Sequence, residues 1–445
     1  MGIRENALSV LKKTKGIDFK VIEKEVNRAN LYYTKDQQLE SSLQANRKIV
    51  EVTIYKKCGD KLGKHTFPLV TDVKKDINEK IKDAISMCSL TKHKTFEIPK
   101  KVSKVKVKIA DPDIVAAFKK NNIEDKLKRF ALRLINEFES YKNEAKLNSF
   151  EVFTSHINTK IENSCGLKQS SEETGAYIEL VVTAFINGRE NEFYPRVNLR
   201  RLNEFKIKEA VQEYCRTAKD VLISYRPNKF KGSVILTGEA IREFFAPELS
   251  LNPLVMHCFS KLKYKDMSRY TKGEYVTNKP IIGDKLTIIS NPLVDYNTGS
   301  REFDGDGIPA KKLTLIDEGR FKNYIAEKQY ADYLDQEPSG PLGVIEIKPG
   351  MRSMSQVYSS KKQVYEIVSF SSFVPNELSG DFAAEIRLGY MVERGRKIPF
   401  KGGMFTGNVF DLFSNAFFSR EMIKLAGYCG PKSLRFENAT VAGMG

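Results

Sequence analysis

Glycine turns crowd the second half of this chain. NTGS, DGDG, DEGR, PSGP, KPGM, LSGD, ERGR and KGGMFTGN follow one another after residue 232, with short strand-like runs between them. Turns at that density leave room for short strands and few long helices. Before residue 224 the texture differs, with apolar residues at helical spacing alternating with longer strand-like runs. The stretch SYRPNKFKG at 224–232 separates the two textures. It is polar, carries Pro227 and Gly232, and ends a helical pattern. A chain of 445 residues also exceeds what one core organises. The expectation is an α+β protein of two domains. Residues 1–225 would form an N-terminal α+β domain, a mixed sheet with helices. Residues 226–445 would form a β-rich C-terminal domain.

The first domain reads as a helix near 4–15, then strands through FKVIEKE and onward to residue 70. The CGDKLGK turn at 58–64 places Gly59 and Gly63 where positive φ is expected. Val73, Ile77, Ile81, Ala84, Ile85 and Cys88 predict a helix over 72–88. FEIPKKVSKVKVKIADPD reads as a connector plus a strand. Leu127, Phe130, Ala131, Leu134, Ile135 and Phe138 mark another helix. NSCGL at 163–167 reads as a turn, Asn187-Gly188 as a hairpin turn, and 204–222 as a helix. The second domain opens with VILTGEAIREFFAPELSL. Val234, Ile235 and Leu236 form a short strand, and Thr237 is the expected helix N-cap, with Glu239 and Glu243 close behind.

Composition bounds the function. At 41% hydrophobic and 29% charged residues the chain is of ordinary globular type. No apolar run nears the ~18–20 residues of a membrane span. The start is an amphipathic helix rather than a secretory signal, and Met1-Gly2 with Asn6 is a poor myristoylation match. A cytoplasmic location is expected, with no membrane partner. Net charge is +17, which raises nucleic-acid binding. The lysines, however, are interspersed with acids, and the densest run, KKVSKVKVK, has the alternation of a strand with one wet face. The six cysteines and four histidines are scattered, which argues against a disulfide scaffold and a local zinc knuckle.

No motif carries chemistry alone. Asp304 and Asp306 in DGDG are a fragment of a calcium loop, better read as a hairpin turn. KGGMFTGN lacks the phosphate-binding Lys-Ser/Thr pair. His257 and Cys258 are adjacent, so they point in different directions, and a buried His beside a buried Cys is the preferred reading. No candidate catalytic, cofactor-binding or metal-binding residue stands out.

The order of features after residue 232 does resemble a family. FDGDGIP, LIDEG, SGDF, the Gly-Tyr strand with VERGRKIP, TGN and the closing AG follow the order of the TldD/PmbA family, once called modulators of DNA gyrase. The resemblance implies a protease system. TldD-type members carry His-Glu-x-x-x-His on the helix after the first strand of this domain, two His for zinc and a Glu to activate water. PmbA-type members, also called TldE, lack it and pair with a TldD-type subunit. Counted from the strand, the ligand positions fall at Ala246 and Leu251, with Pro247 in place of the Glu. None of the three can do that work, and the neighbouring Glu248 is a single carboxylate. Cys429 stands where zinc-bearing members resemble having a third ligand. The resemblance implies a non-catalytic TldE-like subunit with no cofactor of its own. Zinc would sit on a TldD-like partner in a heterodimer, a homodimer being the other assembly, and the substrate would be an extended or unfolded peptide. A nucleic-acid-binding protein and an independent hydrolase with an unrecognised site stay open.

Overall fold

The structure, a computed structural model, describes residues 2–360 and 363–443. Met1 of the Met1-Gly2 start and the last two residues of the terminal motif, Met444 and Gly445, lie outside it. With 23% helix and 41% strand the protein is α+β. No helix among the described residues is long and apolar enough to cross a membrane.

The chain begins with α1 (Ile3–Leu11), then β1 (Asp18–Tyr33), β2 (Leu39–Cys58), β3 (Lys61–Leu69), α2 (Lys74–Met87) and β4 (Lys92–Lys94). After a long connector come α3 (Pro112–Lys119), α4 (Ile123–Glu139), β5 (Ala145–Asn163), β6 (Lys168–Ile186), β7 (Arg189–Phe193), β8 (Arg196–Leu199) and α5 (Ile207–Ile223). The strands make one sheet ordered β4-β3-β2-β1-β5-β6-β7, with β8 also on β6. The expected mixed sheet is antiparallel in every pairing. The reason is local: tight hairpins make most of its connections.

Two of those hairpins follow from turn chemistry. Asn163 Oδ1 accepts the amides of Cys165 and Leu167, both at 3.0 Å, and Gly166 takes φ +87°. Asn187 and Gly188 both have positive φ, as a two-residue hairpin with the correct twist requires. Alternation along β1 then sorts the two faces of the sheet. Phe19, Val21, Ala29 and Leu31 are buried beneath the five helices. Arg28, Asn30 and Tyr32 point the other way.

Three expectations need correction. Gly63 has no positive φ; it lies within β3, and a Cβ there would sit 2.1 Å from the Cys88 carbonyl oxygen. Close approach of strand to helix end, not a turn, demands the glycine. The Lys-Val run at 100–108 forms no strand. It lies extended against β6, held by single contacts such as Gln169 Nε2 to Ser103 O at 3.3 Å and Thr174 N to Ile109 O at 3.0 Å. Helix α3 was unexpected. Asp111 caps it through the Asp113 amide at 3.0 Å, with Pro112 in its first turn.

In the second half, β9 (Phe230–Thr237) runs into α6 (Gly238–Phe245). β9 lies between Val364–Ser372, parallel to it, and Ser433–Ala442, antiparallel. Pairing of Val364–Ser372 with Asp381–Glu393 closes this sheet on itself. Its interior is aromatic: Phe244, Phe405, Phe413 and Phe436 are all within 1% of full burial. A six-stranded sheet, which includes Ile288–Asn291 and Tyr428–Pro431, packs alongside.

Candidate functional site: a cleft at the end of helix α6

The junction of β9 and α6 follows its sequence closely. Val234, Ile235 and Leu236 are fully buried, and Gly238 at φ +54° lets the strand turn into the helix. Thr237 occupies the N-cap position, but its hydroxyl donates to Glu366 at 3.0 Å and not into the helix. Phe244 and Phe245 anchor the helix in the aromatic core, Phe245 stacking on Tyr428 at 5.7 Å.

The helix stops at Phe245. Ala246 has φ −132° and ψ 65°, outside helical space, because the following proline disfavours α geometry in its predecessor. The expected register is therefore corrected. Ala246, Pro247 and Leu251 do not lie on one helical face; they lie on the irregular stretch beyond it. The Leu251 amide is tied to Glu377 Oε1 at 2.6 Å. Ala246 still meets the segment leading to Cys429, since a Cβ on Gly427 would lie 3.6 Å from that of Ala246. Donor atoms are what the junction lacks. Among the described residues no three His, Cys, Asp or Glu side chains are placed to hold a metal ion.

A guanidinium stands at the helix end. Arg242 bonds Glu239, reaches Glu243 at 3.3 Å and Glu248 at 3.5 Å, and donates to the Ala246 carbonyl at 3.4 Å. The side chain is 7% exposed. Burial pushes the Glu243 carboxyl up to about 7, against the pull of Arg242. Its Oε2 is buried without a hydrogen-bond partner.

The other residues singled out in the sequence have separate duties. His257 Nε2 bonds the Leu378 carbonyl at 2.9 Å and Nδ1 accepts the Arg269 amide at 3.2 Å, so both nitrogens are used; burial holds it below the usual histidine range. Cys258 is fully buried, bonds the Leu254 carbonyl at 3.1 Å, and has its thiol raised by that burial. Cys429 pairs in register with Glu346 and Lys424. Asp304 is a turn residue whose Oδ1 accepts the amides of Asp306 and Ile308, and the cation beside Asp306 is the Lys20 ammonium at 2.6 Å. Gly402 and Gly403 take positive φ, and the helix beyond them spans only Val409–Leu412.

The space in front of Ala246 and Pro247 is a cleft of about 770 Å³. Its floor is the face of the N-terminal sheet opposite the helices: Arg28 and Asn30 on β1, Phe153 and Ser155 on β5, Gly175 and Tyr177 on β6. Thr298-Gly299 and Ala426-Gly427 complete its far wall. Tyr32, Phe153 and Tyr177 form a ring ladder across the floor, with centroids 5.1 and 5.7 Å apart. One buried residue holds floor and wall together. Arg200 bonds Glu173 and the Thr174 carbonyl of the sheet, both at 2.9 Å. It also bonds the carbonyls of Asn297, Thr298 and Ser300 at 3.3, 3.2 and 3.1 Å. Sequence reasoning missed Arg28, Phe153, Tyr177 and Arg200. Period 2 along β1, β5 and β6 was the signal that could have put the first three on one face.

Residues 233–443 match the family model of the PmbA/TldA metallopeptidase C-terminal domain. Over those residues the chain carries a domain of the TldD/PmbA family. It is 26% identical over 272 residues to an uncharacterised protein of Methanocaldococcus jannaschii, a match covering 58% of this chain and 60% of that one. It is 26% identical over 220 residues to a zinc metalloprotease TldD homologue of Saccharolobus solfataricus, covering 45% of this chain and 48% of the relative. Both matches thus span less than two thirds of those relatives. TldE from Thermococcus kodakarensis superposes with a TM-score of 0.76 at 17% identity, covering 99% of this chain and 100% of that one. A Thermotoga maritima protein described as a modulator of DNA gyrase gives 0.80 at 18% identity, covering 99% of each chain. At these identities the structural matches speak for the fold.

Proposed function

We propose that this chain is a non-catalytic, TldE-like subunit, which forms part of a peptide-binding cleft and depends on a zinc-bearing TldD-like partner for cleavage. One observation carries the reading. The positions expected to bind and activate at zinc, Ala246, Pro247 and Leu251, lie on an irregular turn, and no histidine stands between His156 and His257 to replace them. An alkyl side chain has no lone pair for a metal, and proline cannot relay a proton. What this chain supplies is binding: a sheet face that presents the aromatic rings of Phe153 and Tyr177 to the cleft. An extended peptide would lie across this face with its side chains against the rings.

The test is metal content and casein cleavage of the purified chain, alone and mixed with the zinc-motif relative from the same cell. A metal-free, inert chain that gives cleavage on mixing supports the proposal. Stoichiometric zinc with cleavage by the chain alone overturns it.

A further inference from the structure

The charge in the cleft is uneven. Four arginines line it, Arg28, Arg200, Arg242 and Arg301, against two glutamates, Glu173 and Glu248. Both glutamates are already engaged. Glu173 is held by Arg200 at 2.9 Å, and Glu248 faces Arg242 at 3.5 Å and Arg196 at 3.9 Å. Arg301 is 54% exposed and reaches only the occupied Glu173, at 3.8 Å. Arg28 is exposed and makes no ion pair or side-chain hydrogen bond among the described residues. Positive charge is therefore left over on the floor at Arg28 and on the rim at Arg301.

The floor beside Arg28 is cleared of side chains. Register places Arg28 opposite Ser155, and Ser155 opposite Gly175. A Cβ on Gly175 would come within 2.9 Å of the Ser155 hydroxyl. Two residues along each strand lies the next row on this face, Asn30, Phe153, Tyr177 and Asn198. Four strands at about 4.8 Å spacing make a floor about 15 Å across, the length of four or five extended residues. Small residues and free arginine thus run beside half-buried aromatic rings that belong to none of the packed cores.

We propose that this cleft is selective for extended peptides in which an acidic residue neighbours an aromatic one, and that Arg28 sets the preference for acid. The inference rests on the peptide-binding reading above and names its substrate class. The carboxylate would pair with Arg28, with Arg301 near enough along the rim to add to the field. The aromatic side chain would lie on Phe153 and Tyr177. Arginine and aromatic rings also suit single-stranded nucleic acid. Here the same sheet face carries Glu151 and Glu179; burial and the Glu179 charge raise the Glu151 carboxyl, and a strand charged at every phosphate, unlike a peptide with one or two acids, would have to pass them.

The experiment uses the full chain and fluorescence anisotropy with labelled, unstructured peptides about ten residues long. One carries Asp and Glu flanking Phe, a second Lys in place of the acids, a third Ala in place of Phe. The acidic-aromatic peptide should bind about fivefold tighter than the basic one, the scale of one favourable exposed ion pair. Arg28→Glu should reverse that order, with Arg28→Gln as the milder variant should the reversal disturb folding. Phe153→Ala should bring the Phe and Ala peptides level. An order of affinities unchanged by either Arg28 variant overturns the inference. So does an oligo-dT strand that binds at physiological salt and displaces the peptide. If mixing with the zinc-bearing relative gives cleavage but acidic and basic peptides are cut alike, this inference fails and the subunit reading survives. If none of the three peptides binds and mixing gives no cleavage, both fail.

Discussion

Glu243 is a carboxyl group that the fold prefers neutral. Its buried Oε2 has no partner, and burial lifts it from 4.5 to about 7 despite the Arg242 guanidinium 3.3 Å away. A raised carboxyl pKa means the folded protein holds a proton that the unfolded chain releases. Its contribution to stability is present below pH 4.5 and is lost as pH climbs toward 7. Glu243→Gln removes that dependence. The melting temperature of the variant minus that of the native protein should rise between pH 4.5 and 7.5 in calorimetry; a constant difference would show that Glu243 ionises normally. Arg242 is the opposite case, a charge the fold needs. Arg242→Ala leaves Glu239, Glu248 and the buried Glu243 carboxyl facing one another and the Ala246 carbonyl uncapped. Loss of about 3–5 kcal/mol is expected in urea unfolding.

At the scale of the element, the junction of β9 and α6 was the most legible part of the chain. A buried Val-Ile-Leu run, a glycine and an amphipathic octapeptide specify strand, turn and helix with local information alone. The helix length was misjudged because the family register was counted through Pro247, although a proline two residues past Phe245 already forecasts the stop. Gly63 shows where local reading fails. A glycine in a turn-like sequence suggested positive φ, but the cause was the Cys88 carbonyl of α2, 25 residues away in the chain. Gly63→Ala should cost about 1–3 kcal/mol, the range for overpacking, and should first release α2, seen as faster amide exchange over 74–87. Unchanged exchange there would mean the strand shifts instead.

At the scale of the whole molecule, the cleft was not legible, because its walls come from strands far apart in sequence and the buried arginine that ties them carries no local signal. Nothing in NLRRLNEF distinguishes Arg200 from Arg201, yet Arg200 is 6% exposed and joins both halves of the protein. Arg200→Met would strand Glu173 and several buried carbonyls. We expect about 3–5 kcal/mol of destabilisation, and calorimetry should show one transition becoming two as the halves melt separately. A single transition, merely shifted, would show that the halves are coupled elsewhere.

β2 pairs with β1 from Leu39 to Tyr55 but with β3 only from Val50 to Cys58. Residues 39–48 therefore keep a bare row of amides and carbonyls along one side, exposed on both faces. Such an edge can nucleate stacking of copies into aggregates. The residues there are Leu-Glu-Ser-Ser-Leu-Gln-Ala-Asn-Arg-Lys, too polar and too charged to form a dry interface between sheets. Those ten residues thus guard the open edge against stacking. Ser42→Val with Gln44→Val should turn a clear solution turbid at concentrations the native protein tolerates, as light scattering would record.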